Sequence, residues 1–169
     1  IHGVIHGVRA FAPRMIAAGE PAYIANTASI GALGIMPVQT SYILSKHAIL
    51  AYSECLYMEM QLKQLPIHVS AILPGPVATR IFTDSAGTRD ATSNFHQKVM
   101  EDMLAANGMT GMEAASIILP QIAAGEFWVS THADMTREYA ANRARHLAEL
   151  SLPALPPEVL GLLGDVNAR

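Results

Sequence analysis

The sequence is short of several things, and each shortage excludes something. One cysteine, Cys55, stands in 169 residues. An internal disulfide framework is therefore excluded, and a reducing compartment such as the cytoplasm suits the chain. Charged residues make up only 15%, with 11 basic and 14 acidic side chains and a net charge of −3. No basic run stands out, so nucleic acid has no electrostatic footprint. No apolar stretch reaches the roughly 18 residues of a membrane span without a polar break, and no membrane partner is expected. The apolar N-terminal stretch carries His2, His6 and Arg9 and has no cleavage site, so it does not read as a signal peptide. Internal repeats and low-complexity tracts are missing too. His2 and His6 share i, i+4 spacing, but no third ligand or glutamate base accompanies them, so no metal is expected. Gly-x-Ser-x-Gly is missing, which removes a serine-hydrolase reading of Ser29.

What is present is apolar: 51% of the residues, enough for one domain with a substantial core. Residues 2–18 carry apolar side chains at helical spacing and stop at Gly19-Glu20-Pro21. Residues 22–27 read as a short buried strand, followed by a glycine-marked loop from Gly31 to Pro37. A long helix is expected over about 41–64, apolar on almost every side and therefore covered on more than one face. Cys55 within it reads as a small packed hydrophobe. Residues 67–73 are nearly all apolar, as in a parallel strand buried on both faces, and Pro74-Gly75-Pro76 stops them. A small, polar loop over 83–94 precedes helices over about 95–106 and 111–124, a strand over 126–131 and a polar helix over about 135–149. Asp134 reads as the cap of that last helix, with His132 beside it. The tail is proline-rich at 153–157 and apolar at 159–163. Strands alternating with helices imply parallel βαβ units, whose ligands bind beyond the carboxyl ends of the strands.

The chemistry should lie there, in Ser29, Tyr42 and Lys46. Tyr42 and Lys46 are four apart at the start of the long helix and share a face. A free phenol titrates near pH 10, too high for efficient proton transfer near neutrality, and an ammonium one helical turn away favours the phenolate. Ser29 lies just past the first strand and can hydrogen-bond a substrate oxygen that the phenol protonates or deprotonates. Such a set suits interconversion of a carbonyl and an alcohol. Taken alone, Tyr-x-x-x-Lys is also met by an aromatic ring packed beside a snorkelling lysine.

Two further segments stand in order around it. Asn26-Thr27-Ala28-Ser29 ends a strand, with Ser29 thirteen residues before Tyr42, and Pro74-Gly75-Pro76-Val77-Ala78-Thr79 follows the next strand. Together with the helix from Gly3 to Phe11, these resemble the short-chain dehydrogenase/reductase family over roughly residues 1–135. The resemblance implies a doubly wound parallel-sheet α/β fold of Rossmann type, and an oxidoreductase using NAD or NADP on a small carbonyl or alcohol substrate. By the same resemblance Tyr42 is the acid/base, Lys46 supports it and binds the nicotinamide ribose, and Ser29 polarises the substrate carbonyl. Pro74, Gly75, Val77 and Thr79 would line the nicotinamide, the Pro-Gly turn letting backbone approach the ligand. Residues 80–108 would form a substrate lid. Ile81, Phe82, Met100 and Met103 there either face an apolar substrate or pack the lid onto the body.

The family's glycine-rich dinucleotide turn is absent from the chain, as are its Asn-Asn-Ala-Gly strand end and the asparagine of its catalytic set. Gly31-Ala32-Leu33-Gly34 follows the wrong strand and opens no helix. The chain also begins at Ile1, inside a helical pattern. Residues 1–169 are thus expected to be a single partial domain, with its N-terminal dinucleotide-binding part absent from the chain, and with a tail at 153–169. A homodimer or homotetramer through helix 41–64 is expected. The alternative is a truncated, inactive relative that binds a partner through that helix and the tail.

Overall fold

The computed structural model describes residues 1–82 and 91–155. Most of the loop expected at 83–94 and the apolar patch at 159–163 lie outside the described residues. In chain order the elements are α1 (His2–Ala18), β1 (Ala22–Thr27), a short 3-10 helix (Ile30–Leu33), α2 (Thr40–Leu62) and β2 (Ile67–Leu73). They continue with α3 (Ala91–Asn107), α4 (Gly111–Ala123), β3 (Trp128–Ser130) and α5 (Ala133–Glu149). The three strands form one parallel sheet in the order β1-β2-β3. β1 pairs with β2 from Ala22↔Ile67 to Thr27↔Ile72, and β3 pairs only with the carboxyl end of β2, from Ala71↔Trp128 to Leu73↔Ser130.

The local reasons are visible in the chain. α1 stops where Gly19 takes a left-handed conformation (φ 67°) and its N–H turns back to Met15 and Ile16 carbonyls. α4 opens on a reciprocal cap. Thr110 Oγ1 accepts the Glu113 N–H, and the Glu113 carboxylate accepts the Thr110 N–H at 2.7 Å. α5 opens at Ala133, not 135. Ser130 Oγ accepts the His132 N–H at 3.1 Å, while Asp134 lies in the first turn and pairs with Arg137 at 2.9 Å. Asp134 is therefore not the cap, although an acid in the first turn still suits the helix dipole. Where a loop was expected after Ser29, the chain makes a turn of 3-10 helix that buries Ile30 and Ala32.

β2 is the middle strand and is buried along nearly its whole length, with Val69, Ala71 and Leu73 fully enclosed. Each large apolar side chain so buried stabilises the fold by about 1.5–3 kcal/mol relative to exposure. α1 and α2 pack on one face of the sheet, in a cluster of Val8, Ala12, Ile24, Leu56, Met60, Ile67 and Val69. β1, expected as a short buried strand, is buried along one face only. Ile24 and Asn26 point into the core, whereas Tyr23, Ala25 and Thr27 are exposed. Among the described residues the helices α1 and α2 pack over one face of this strand.

α2 also departs from expectation. Ile49, Leu50, Ser53, Leu56 and Met60 are buried, but Leu44, Met58 and Leu62 are exposed, Leu62 at 83%. Cys55 is exposed as well, not packed. A buried polar pair fixes the helix on the sheet: Asn26 Nδ2 donates to Ser53 Oγ at 3.0 Å, which donates to the Ile49 carbonyl at 2.8 Å. β3 is only three residues long. Its outer edge is met by one side chain, Gln121, whose amide donates to the Ser130 carbonyl and accepts the Ser130 N–H, both at 3.0 Å. Among the described residues no helix is long and apolar enough to cross a membrane.

Candidate active site

Beyond the carboxyl ends of β1 and β2 lies a cavity of about 700 Å³. The sequence-derived residues meet there. Ser29, Tyr42 and Lys46 line it, as do Pro74, Gly75, Val77 and Thr79 from the segment after β2. Ile81, Phe82, Met100 and Met103 complete the expected set.

Ser29 caps the 3-10 helix, and its Oγ accepts the Gly31 N–H at 3.0 Å. One lone pair is thereby used, and the hydroxyl hydrogen is left to donate elsewhere. Gly31 matters for a second reason. A Cβ placed there would lie 3.3 Å from Tyr42 Cε1 and 3.4 Å from Ser29 Oγ, so the serine and the tyrosine flank one point. Lys46 follows one helical turn after Tyr42. Its ammonium nitrogen stands 5.6 Å from the Tyr42 ring centroid and donates to the Thr27 carbonyl at 3.3 Å. Half-burial lowers its pKa below the ordinary lysine value, because desolvation disfavours the charged form. His47, next along α2, anchors the helix start by bonding the Gly34 carbonyl at 2.7 Å.

The segment after β2 is held from behind. The Pro74 carbonyl accepts the Ile30 N–H at 3.1 Å, and Thr131 Oγ1 accepts the Gly75 N–H at 2.9 Å. Val77 and Met109 form a parallel bridge, with the Ala78 N–H donated to the Met109 carbonyl at 2.8 Å. Glycine is required at two of these approaches. A Cβ at Gly108 would sit 2.5 Å from the Leu104 carbonyl oxygen and 2.8 Å from the Ala78 nitrogen. A Cβ at Gly75 would lie 2.5 Å from His132 Nδ1. The group pressed against Gly75 is thus an imidazole of this chain, itself bonded to Thr131 Oγ1 at 2.8 Å.

The opposite wall comes from α3, α4 and α5. On α3 Met100 and Met103 are half-buried along the cavity, while Leu104 is the buried residue that seats the helix. Met100 and Met103 therefore border the cavity and are not sealed into the body. Gln39, just before α2, reaches across to α3, its Nε2 2.8 Å from His96 Nε2. Burial lowers the His96 pKa. A neutral imidazole nitrogen can accept from that amide. Gln97 donates to the Phe82 carbonyl at 2.7 Å and ties α3 to the segment after β2. The sequence reading missed Gly31, Gly108, Gln39, His96 and the His132 contact. The glycines alone carried a local signal, as unexplained glycines beside expected elements.

Comparison with known proteins assigns the family. A family model described as short chain dehydrogenase matches residues 1–90. A 1-deoxy-11-beta-hydroxypentalenate dehydrogenase of Streptomyces avermitilis is 31% identical over 130 residues, covering 77% of this chain and 43% of that protein. A short chain dehydrogenase/reductase of Burkholderia phymatum, solved in complex with NAD, superposes with a TM-score of 0.82 at 26% identity, covering 92% of this chain and 58% of that one. A short chain dehydrogenase of Burkholderia cenocepacia, solved with NADP, gives a TM-score of 0.62 at 23% identity over 89% of this chain and 57% of that one. The chain spans roughly half the length of these relatives.

Proposed function

The chain belongs to the short chain dehydrogenase family, and on that premise we propose that it interconverts a carbonyl and a secondary alcohol, with NAD or NADP as the cofactor. The observation that supports this reading is that Ser29 and Tyr42 flank Gly31 on the lining of one cavity, with the Lys46 nitrogen 5.6 Å from the Tyr42 ring centroid.

The residues suit the nicotinamide end of such a cofactor. Pro74, Val77 and Thr79 face the cavity from a backbone pinned by Thr131 and Met109, and the half-buried Lys46 ammonium stands beside the end of β1. Lys46 and Thr79 would bind its ribose and carboxamide. When bound, the reduced nicotinamide supplies the hydride that forms the new C–H bond, and the oxidised one takes it back. The protein handles the rest. In reduction Ser29 donates its free hydroxyl hydrogen to the substrate oxygen, and Tyr42 gives that oxygen a proton as the C=O π bond breaks. In alcohol oxidation Tyr42 takes the proton instead. The Lys46 ammonium stabilises the negative charge left on the phenol oxygen.

The test is Tyr42→Phe in the full-length protein. Turnover should fall about 10³-fold, the range expected for loss of a positioned acid/base. Cofactor affinity measured by calorimetry should stay within about threefold, since ring and packing are kept. Near-full turnover would remove the proton role. Absence of both cofactor binding and turnover would favour the partner-binding module.

We also propose that copies associate through α2. Leu44, Met58 and Leu62 present apolar surface there that water otherwise covers. Sedimentation should give a dimer or tetramer, and a monomer at micromolar concentration would contradict it.

A further inference from the structure

Charge is unevenly spread around the cavity. Among its described lining residues Lys46 alone is ionisable to a full charge near neutrality, and its nitrogen is already turned to the Thr27 carbonyl at 3.3 Å. No aspartate, glutamate or arginine lines it among the described residues. The hydroxyls of Ser29, Tyr42 and Thr79 gather at the strand-end side. Away from that side the described wall is hydrocarbon and thioether, with Met100, Met103 and Leu104 of α3, Ile118 of α4 and Met135 of α5, apart from one phenol, that of Tyr139 on α5, which is polar but carries no charge near neutrality. The one side-chain amide on the lining, Gln39, has its nitrogen engaged by His96 at 2.8 Å.

These placements fix what can enter. A carboxylate or phosphate carried into the helix side would lose its water and find no counter-charge among the described residues. A hydrocarbon skeleton gains from the same burial. The cavity lies within the roughly 300–1,000 Å³ of small-molecule sites and has to take the nicotinamide end as well as the substrate, and methionines adapt their shape to curved alicyclic surfaces. We propose that the substrate is a ketone or secondary alcohol on a bulky, uncharged hydrocarbon skeleton, and that ionised groups on the part of the skeleton remote from the reacting carbon are excluded. This rests on the reading that Ser29 and Tyr42 hold the reacting oxygen, because it is that end which turns the rest of the molecule toward α3, α4 and α5.

The experiment measures binding and turnover separately in the full-length protein. Three probes are compared: a tricyclic perhydrophenanthrenone, its analogue with a carboxylate on the ring remote from the ketone, and the methyl ester of that acid as a size control. Competition with Nile red should require at least about 30-fold more acid than ketone or ester. Met103→Lys, which brings a cation to the helix side, should narrow that gap by at least about tenfold. An acid that competes as well as the ketone, or a ketone that does not bind, overturns the proposal. A ketone that binds but is never reduced with either nicotinamide cofactor leaves the ligand class standing and removes the oxidoreductase reading instead.

Discussion

On the strand-end side of the cavity, three of the groups that meet the open space are fixed by hydrogen bonds. Ser29 is held by Gly31, Lys46 by Thr27, and Gly75 by Thr131. On the helix side, Met100, Met103 and Ile118 are apolar side chains that pack without hydrogen bonds of their own, while Gln39–His96 and Gln97–Phe82 tie α3 down. The difference is one of tolerance. Hydrogen bonds and glycine approaches fix positions to tenths of an ångström, whereas thioether packing accepts many shapes at similar energy. One side of the cavity suits a fixed reaction and the other a substrate whose shape can vary.

Three measurements can break or sharpen that contrast. The largest effect belongs to Gly75→Ala. Its methyl group would press on His132, whose ring is bonded to Thr131, so urea unfolding should show a loss of about 2 kcal/mol, typical of overpacking. The double variant Gly75→Ala with His132→Ala should recover part of that loss. A single variant as stable as the parent would show the strand-end side to be as forgiving as the other. Met103→Leu, on the helix side, should do far less. A swap of similar volume should leave kcat unchanged and move KM by no more than about threefold. A collapse in kcat would mean that α3 positions the reaction after all.

The smallest effect is a titration. Burial lowers the Lys46 pKa, while Asp102 raises that of the exposed Lys98 through a hydrogen bond at 2.6 Å. Carbon-13 signals of the two ε-methylenes should therefore show Lys46 losing its proton at lower pH than Lys98. The signs for stability are opposite. For Lys46 the unfolded chain binds more protons between the two pKa values, so stability rises as pH climbs from the lowered folded value to the ordinary one. For Lys98 the folded state binds more, and that contribution fades as pH rises through its raised value. Coincident midpoints would mean that the cavity does not desolvate Lys46.

How much of this was legible depended on sequence distance. Tyr42 and Lys46 were legible because helical spacing is local, and Ser29 and Pro74–Thr79 because strand ends are marked by composition. The parallel order followed from the alternation of elements. The Gly75–His132 and Gln39–His96 contacts each join residues 57 apart, and no local pattern encodes which distant ring fills a glycine's space. The one-sided burial of β1 and the exposed face of α2 escaped for a related reason. Apolar content states what could be covered, and only the arrangement of neighbours decides what is. Cys55 shows the same limit, since an apolar helix suggested packing and its position on the outer face gives exposure. At the start of α5, Asp134 had the right residue type for a cap but stood two positions past the N-terminal flank, where Ser130 had already supplied the bond.

Gln121 carries a consequence for how the sheet can grow. Lateral extension of a sheet proceeds one strand at a time, each newcomer reading the free N–H and C=O groups of the last. At Ser130 both groups are already answered by a single side-chain amide. The amide copies the donor and acceptor of a peptide unit but offers no onward pair, so it works as a chain terminator does in polymer synthesis.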